Sequence, residues 1–554
     1  MRRLPYRFNH DKLMAMQYPF QRSIVMVWRE TAPNIRNFLG DRQPLLWLAG
    51  LVTGIAVGIG AILFRLGIGL FQLPWLGTMS EGVAGAASAL PWPIVLLAPA
   101  AGGLVVGLIL HWFIRAVRPY AIPDVIEARA LGLQKIGVKE GLWSALASAL
   151  SLGTGASAGR EGPVVHLGGT LAVATARLFR LEGAAGRTLL ACGAASAVSA
   201  SFNAPMAGVL FAHEVILGHY ALSAFVPIVI ASVAGGILSR LWFGDVAAFA
   251  IPDYHVASYL EIPAFALLGL TCAVVAIAFQ LSLVAGDQVG RRVPVPMWLK
   301  PALGGLAVGA IGIAFPDILG VGYETTDHAL KGTIPLAMLI ALVVAKVAAT
   351  AVTLGSRLGG GIFSPTLYLG ALTGGAFGIV AADVFPDLAS NSGLYAIIGM
   401  GAVAGAVLGA PISTTIIVFE LTGGYALTVA LLFTVAISAG LTVALTGRSF
   451  FQWQLEQRGL VLTGGPHRTL LRSIRVEDFV ERSETTEMAE PDQPVLRTDD
   501  TLETALRRFD DSGAETLPVV EPTNTTIIVG QASQLRALRL FNKGLIDRSA
   551  EAHR

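Results

Sequence analysis

Charge is scarce in this sequence. Of its 554 residues only 14% are Asp, Glu, Lys or Arg, while 54% are hydrophobic; soluble domains average about 25% charged. The shortage is concentrated: between Arg357 and Arg448 the only charges are Asp383, Asp387 and Glu420. A soluble domain does not leave so long a span bare, so the composition points to a membrane protein. The net charge of +2 offers no basic surface for a polyanion, and no nucleic-acid partner is expected. Cysteine is nearly absent. Cys192 and Cys272 both lie in apolar segments without metal-type spacing, so they read as buried thiols, and no metal or disulfide framework is expected. The start also lacks a secretory apolar region, being interrupted by Pro5, His10, Lys12 and Arg22.

What the chain has is apolar runs and 63 glycines, which suit close helix packing and exposed backbone amides. Residues 1–42 carry eight Lys or Arg against three acids, and PLLWLAGLVTGIAVGIGAILF then begins the first span. The last run, ALTVALLFTVAISAGLTVAL, meets Arg448, Arg458, Arg468 and Arg472. Positive flanks at both ends place both termini in the cytoplasm. A crossing helix needs about 20 apolar residues, yet PVVHLGGTLAVATARLF, APMAGVLFAHEVIL and APISTTIIVFEL are shorter and bounded by Gly or Pro. Short, interrupted segments in a polytopic protein point to a substrate site built from broken helices.

Those segments recur. NAPMAGVLFAHE (203–214) and GAPISTTIIVFE (409–420) share Ala-Pro and a Glu nine positions after the Pro. Upstream, GPVVHLGG (162–169) matches SPTLYLGA (364–371) at Pro, Leu and Gly, and the Pro-to-Pro spacings are similar, 163 to 205 and 365 to 411. Two ordered pairs make duplication a better reading than chance likeness.

Within the first copy, SAGREGPVVHLGG (157–169) sets Arg160 and Glu161 side by side among glycines. An ionisable residue inside the membrane is by default a functional-site hypothesis. Gly159 and Gly162 let backbone approach a small ligand, and Pro163 suits the first turn of a helix whose free N–H groups favour an anion. Arg160 raises the local potential, and the Glu161 carboxylate can occupy the anion's own site. GGGIFSP (359–365) repeats the device in the second half, and YAIPDV (120–125) offers a third Pro-initiated segment.

Two enzyme-like patterns weigh less. GASAG (155–159) fits the nucleophile-elbow spacing with Ser157 as nucleophile, which would make an intramembrane hydrolase. An elbow needs a preceding strand, and WSALASALSLG reads as helix. His213-Glu214 lacks the second histidine of a zinc-protease helix, because Leu217 stands there.

Taken together, GREGP, GGIFSP and SFNAPMAGVLFAHE resemble the CLC family of chloride channels and chloride/proton antiporters over roughly residues 45–460. The resemblance implies a homodimer in which each subunit holds its own pore between two inverted halves. It implies Glu161 as the outer gate, an anion path at helix N-termini lined by Ile122, Arg160 and Gly162, and the backbone amides of Ile362 and Phe363 at a central anion.

The departures from the family pattern matter equally. The family's G-S-G-I-P stretch aligns with PYAIP, so Tyr120 replaces the serine that touches the central anion, and Ala121 replaces the second glycine. The family's late tyrosine aligns with Phe451 in SFFQWQLEQRG. One reading lets the Tyr120 hydroxyl take over the missing tyrosine's role; the other is drift at a closed or vestigial inner gate. The inner glutamate of the antiporters aligns with Val215, which carries no proton; His213 and Glu214 are substitutes for a proton path, unless Glu214 is a structural cap as Glu420 would be in the second half.

Residues beyond 464 turn charged and alternating. VERSETTEMAEPDQ reads as an acidic linker, DTLETALRRFDD as a helix, TLPVVE and TTIIVGQ as strands, and SQLRALRLFNKGLID as a second helix. This resembles a single, incomplete CBS module, for which no nucleotide or other cofactor is expected.

The expectation is therefore an all-α polytopic protein of the bacterial inner membrane, with two inverted repeats of broken helices. A cytoplasmic segment spans 1–42, the transport domain 43–463 and a small α/β CBS-like regulatory tail 464–554. Its partners are membrane lipid, a second copy of itself and small inorganic anions, chloride first. Transport is expected to be channel-like or weakly proton-coupled; the alternative is a proton-coupled exchanger preferring an anion such as bicarbonate or nitrate.

Overall fold

The computed structural model describes residues 43–553, with Thr31, Ala32 and Gly40 ahead of them, apart from 245–248, 250–253, 255–257, 423–424, 462–466, 468–469, 473 and 489–492. The N-terminal segment expected over 1–42 thus lies almost wholly outside the described residues. The first half of the membrane domain runs through α1 (Gln43–Leu76), α2 (Val83–Ser88), α3 (Trp92–Phe113), α4 (Ile122–Leu131), α5 (Val138–Gly153), α6 (Glu161–Phe179), α7 (Gly183–Phe202), α8 (Pro205–Phe211, continued by a π-turn over Ala212–Leu217) and α9 (Leu222–Phe243). The second half runs through α10 (Ile262–Arg292), α11 (Lys300–Ala314), α12 (Tyr323–Leu330), α13 (Leu336–Gly355), α14 (Phe363–Val384), α15 (Ser392–Leu408), α16 (Pro411–Thr422), α17 (Tyr425–Thr446) and α18 (Phe450–Glu456).

Among the described residues seven helices are long and apolar enough to cross a membrane, namely α1, α3, α9, α10, α13, α14 and the run Leu427–Glu456. Between them sit the shorter apolar helices α8, α11, α15 and α16. Large apolar side chains such as Leu178 and Leu222 are about three-quarters exposed on the outside of the bundle, a liability in water and the natural surface in lipid. Cys192 and Cys272 are buried free thiols.

The repeat is visible in the packing. Helix α6 lies on α7 and α14 lies on α15. Each pair touches through two glycines at equivalent places: a Cβ on Gly168 would fall 2.4 Å from Gly193 O, and one on Gly370 would fall 2.3 Å from Gly399 O. Gly168 and Gly370 each stand five residues after the Pro that opens their helix, and Gly193 and Gly399 each stand twelve before the next. The duplication read from the prolines therefore extends to backbone contacts that only glycine permits.

The caps cross from one half to the other. Glu214 accepts from Ile412 N (3.1 Å) and Ser413 N (2.7 Å) at the start of α16. Glu420 accepts from Met206 N (2.9 Å) and Ala207 N (2.7 Å) at the start of α8. Each carboxylate satisfies orphan donors of the other half's helix and meets its positive end. Glu214 is thus committed as a cap, the structural one of its two readings.

In the tail, β1 (Val480–Met488), β2 (Leu496–Arg497), β3 (Thr516–Glu521) and β4 (Asn524–Ser533) form one sheet in the order β1-β4-β3-β2. Helices α19 (Leu502–Ser512) and α20 (Gln534–His553) accompany it, and Leu496, Phe509, Val519 and Ala532 share one core. The helix and strand expectations match, but the linker does not. VERSETTEM is an edge strand, paired antiparallel to β4 from Val480↔Ala532 to Met488↔Ile527. Its charges suggested a linker because edge strands carry charge against unwanted pairing.

Candidate functional site

The two halves meet where the glycine loops before α6 and α14 touch. Gly159 N donates to Gly361 O and Gly361 N donates to Gly159 O, both at 2.7 Å, forming an antiparallel bridge. Antiparallel pairing is what equivalent loops of inverted copies require. It brings the N-termini of α6 and α14 to one point, although they begin 202 positions apart, at Glu161 and Phe363.

Glu161 occupies that point and is wholly buried. Its carboxylate accepts from Tyr323 OH (2.7 Å, to Oε1) and from Ser364 N at the head of α14 (3.3 Å, to Oε2). Ser364 Oγ lies 2.6 Å from both carboxylate oxygens. Arg160 Nε stands 4.0 Å from Oε1. The carboxylate thus lies across the N-terminus of α14, as a bound anion would. The space it fills explains Gly159, where a Cβ would lie 2.8 Å from Glu161 Oε2 and 2.9 Å from Ser364 N.

Residues 160, 161 and 162 separate two cavities. Gly162 lines one of about 200 Å³, labelled inner only for reference, together with Ala121, Ile122, Ile362 and Phe451. Arg160 lines the other, labelled outer, of about 270 Å³, together with Arg65, Glu81 and Tyr323. The inner cavity carries four arginines, Arg118, Arg291, Arg357 and Arg458, against Asp124 and Asp287. Arg118 and Arg458 both pair with Asp124 (2.6 and 2.9 Å), and Arg291 and Arg357 both pair with Asp287 (2.8 and 3.1 Å). The wall keeps a positive excess that concentrates anions. Phe363 is fully buried, 5.1 Å between ring centroids from Phe202 and 6.0 Å from Phe211.

One expected donor is elsewhere. Tyr120 OH donates to Glu140 Oε2 (2.8 Å), and Tyr120 N donates to Ser144 Oγ (2.7 Å). The ring stands 5.0 Å from His166 and lines a neighbouring cavity of about 190 Å³ with Glu127, Lys135 and His166, which shares Arg118 and Asp124 with the inner one. The idea that its hydroxyl replaces the missing tyrosine is therefore corrected. The Glu140 carboxylate that takes this hydrogen bond stands in the first turn of α5. With Phe451 apolar, no serine, threonine or tyrosine lines the inner cavity among the described residues.

The substitutes for a proton path do not converge on Glu161 either. Glu214 caps α16, and His213 Nδ1 lies 3.0 Å from His219 O on the π-turn. Val215 packs against the main apolar core. Ser157 Oγ donates to Ile318 O (2.7 Å) in a loop that follows helix α5, which is not the strand–turn–helix of an elbow.

Sequence reasoning missed Tyr323, Ser364, Arg65 and Glu81. Ser364 stands inside a motif already singled out, next to its proline. Glu81 leaves only a faint signal, an acid in a glycine-flanked loop between apolar runs.

Known proteins agree with this architecture. The sequence model for the voltage-gated chloride channel family matches residues 102–443. A ClcB-like protein of Ralstonia nicotianae is 33% identical over 385 residues, covering 69% of this chain and 89% of the relative. The chloride channel protein CLC-f of Arabidopsis thaliana is 31% identical over 417 residues, 70% of this chain but 53% of the relative. Among solved structures, a slow cyanobacterial Cl⁻/H⁺ antiporter superposes with a TM-score of 0.67 at 23% identity, over 74% of this chain and 97% of the other. A eukaryotic CLC transporter gives 0.62 at 19% identity, over 90% and 88%. A CLC-type fluoride/proton antiporter gives 0.61 at 22%, over 74% and 98%. These structural likenesses establish the shared fold. From the family match, the ClcB-like relative and the glycine-bridged halves it follows that this chain belongs to the voltage-gated chloride channel (CLC) family of multi-pass membrane anion transporters.

Proposed function

We propose that the protein carries small inorganic anions, chloride first, across a bacterial inner membrane, through a path in each subunit of a homodimer that Glu161 opens and closes. Both termini face the cytoplasm, so the arginine-rich cavity is the inner mouth and the Arg160 cavity the outer one. The observation that carries the reading is the buried Glu161 carboxylate lying across the N-terminus of α14 between the two cavities. An anion entering from inside is drawn by the arginine wall. It reaches the helix ends at Ile122, Gly162, Ile362 and Phe363, whose backbone amides replace its water. Phe451 supplies bulk and no hydrogen bond there.

The charged carboxylate competes with the anion for the positive N-terminal end of α14, where it accepts from Ser364 N. Protonation removes that attraction, and the side chain withdraws. Without hydroxyl donors in the inner cavity the anion is held weakly, and Val215 cannot relay a proton, so transport is channel-like or weakly proton-coupled. A second reading, proton-coupled exchange with a preference such as bicarbonate or nitrate, is favoured by the titratable cavity of Tyr120, Glu127, Lys135 and His166 beside α6. The tail, by its CBS-like build, is regulatory and uses no nucleotide.

The test is anion efflux from proteoliposomes under chloride, bicarbonate, nitrate and fluoride with internal pH recorded, comparing wild type with Glu161→Gln. The neutral variant should pass anions faster with a flattened pH dependence. Unchanged flux and pH profile would remove Glu161 from the gate. A steady proton countercurrent in wild type would select the exchanger.

A further inference from the structure

The outer cavity holds a second carboxylate whose position no gate at Glu161 requires. Glu81 sits on the loop of residues 77–82 between α1 and α2. One of its oxygens, Oε1, takes hydrogen bonds from two guanidinium groups, Arg65 Nε at 2.8 Å and Arg160 Nη1 at 2.5 Å. The two arginines come from different elements and are held independently of it. Arg65 stacks on Phe243 (4.0 Å to the ring centroid), and Arg160 stacks on Tyr323 (4.7 Å). They would face each other across the cavity if Glu81 left. Two converging, preoriented guanidinium groups beside about 270 Å³ of space form a receptor for a small anion.

We propose that Arg65 and Arg160 form an outer anion-binding site in which Glu81 sits as a tethered competitor, so that the path carries two carboxylate plugs in series. Arg160 links them, bonded to Glu81 on one side and 4.0 Å from Glu161 on the other. The proposal rests on the reading of Glu161 as the gate and extends it outward.

The two plugs differ in what releases them. Burial works against charge on Glu81, but Arg160 and Arg65 outweigh it and hold the carboxyl below its usual range. A depressed carboxylate keeps its charge through neutral pH and loses it only as the solution becomes more acid than for a free side chain. Near neutrality, therefore, Glu81 leaves because an external anion replaces it. Gly77, in the left-handed region with φ +69°, ends α1 and begins the loop that carries Glu81. The other ionisable groups near the site are Tyr323, which donates to Glu161, and Glu324, whose carboxylate accepts from Gly85 N.

The experiment measures chloride uptake into proteoliposomes against external chloride concentration for wild type, Glu81→Gln, Glu81→Asp and Glu161→Gln. A tethered ligand acts at an effective concentration in the mM range, so releasing it should lower the half-saturating external chloride by about 10-fold. Glu81→Gln should show that fall, and Glu81→Asp, one methylene shorter, an intermediate one. Half-saturation unchanged in both variants while Glu161→Gln is fast overturns the outer site and leaves the gate standing. Glu161→Gln with wild-type flux overturns the gate itself. If Glu81→Gln lowers the unfolding temperature and Glu81→Asp keeps the wild-type half-saturation, Glu81 is a structural counter-ion and the proposal fails.

Discussion

Replacing Tyr323 by Phe is the most direct test of how the gate is held shut. The phenol donates to Glu161 Oε1 at 2.7 Å in a fully buried setting. A hydrogen bond to a charged group contributes about 1.5–3 kcal/mol. The substitution keeps the ring, so the stacking of Arg160 (4.7 Å) and the contact with Phe249 (5.0 Å between centroids) survive. The charged carboxylate retains Ser364 N and Oγ, so it remains in place but more weakly. With about 1.4 kcal/mol per factor of ten, the closed-to-open ratio should fall by roughly 10- to 100-fold. Efflux near neutral pH should then rise towards that of Glu161→Gln. The decisive comparison is the double mutant: once Glu161 is neutral and withdrawn, losing the phenol should have no further effect. Wild-type flux in Tyr323→Phe, or an increase that persists undiminished in the Glu161→Gln background, would refute the argument that this hydroxyl holds the gate.

Two further predictions concern residues that the family resemblance and the structure assign differently. Tyr120→Phe should leave anion affinity and selectivity as they are, since its hydroxyl serves Glu140 and not the anion cavity; a selectivity change confined to oxyanions would return the phenol to the path. Glu214→Ala and Glu420→Ala each remove a carboxylate from the other half's helix N-terminus, and each should cost about 0.5–2 kcal/mol in unfolding measurements, with similar values for the two. A Glu214 variant of unchanged stability that lost proton movement would instead make that residue a proton carrier.

Much of the architecture is local in the chain and was therefore legible in it. Scarce charge and apolar runs identify membrane helices because hydrocarbon excludes ions and unpaired backbone groups along every stretch of chain. The prolines at 163, 205, 365 and 411 mark helix starts for a reason carried within each segment, the missing N–H, and their spacing exposes the duplication. Glu161 was also visible, because a carboxylate in an apolar run is costly to hold there and so marks a functional position. Partner choice was decided only by the tertiary structure. Tyr323 and Ser364 reach Glu161 across 162 and 203 positions, and Glu81 reaches Arg160 across 79. A hydroxyl bonds to whichever strong acceptor the fold brings within about 3 Å, so Tyr120 went to Glu140, and its place in an aligned motif carried no information about that. The same holds for β1, whose charged residues resemble a linker until β4 supplies the ladder of backbone partners that makes them a strand.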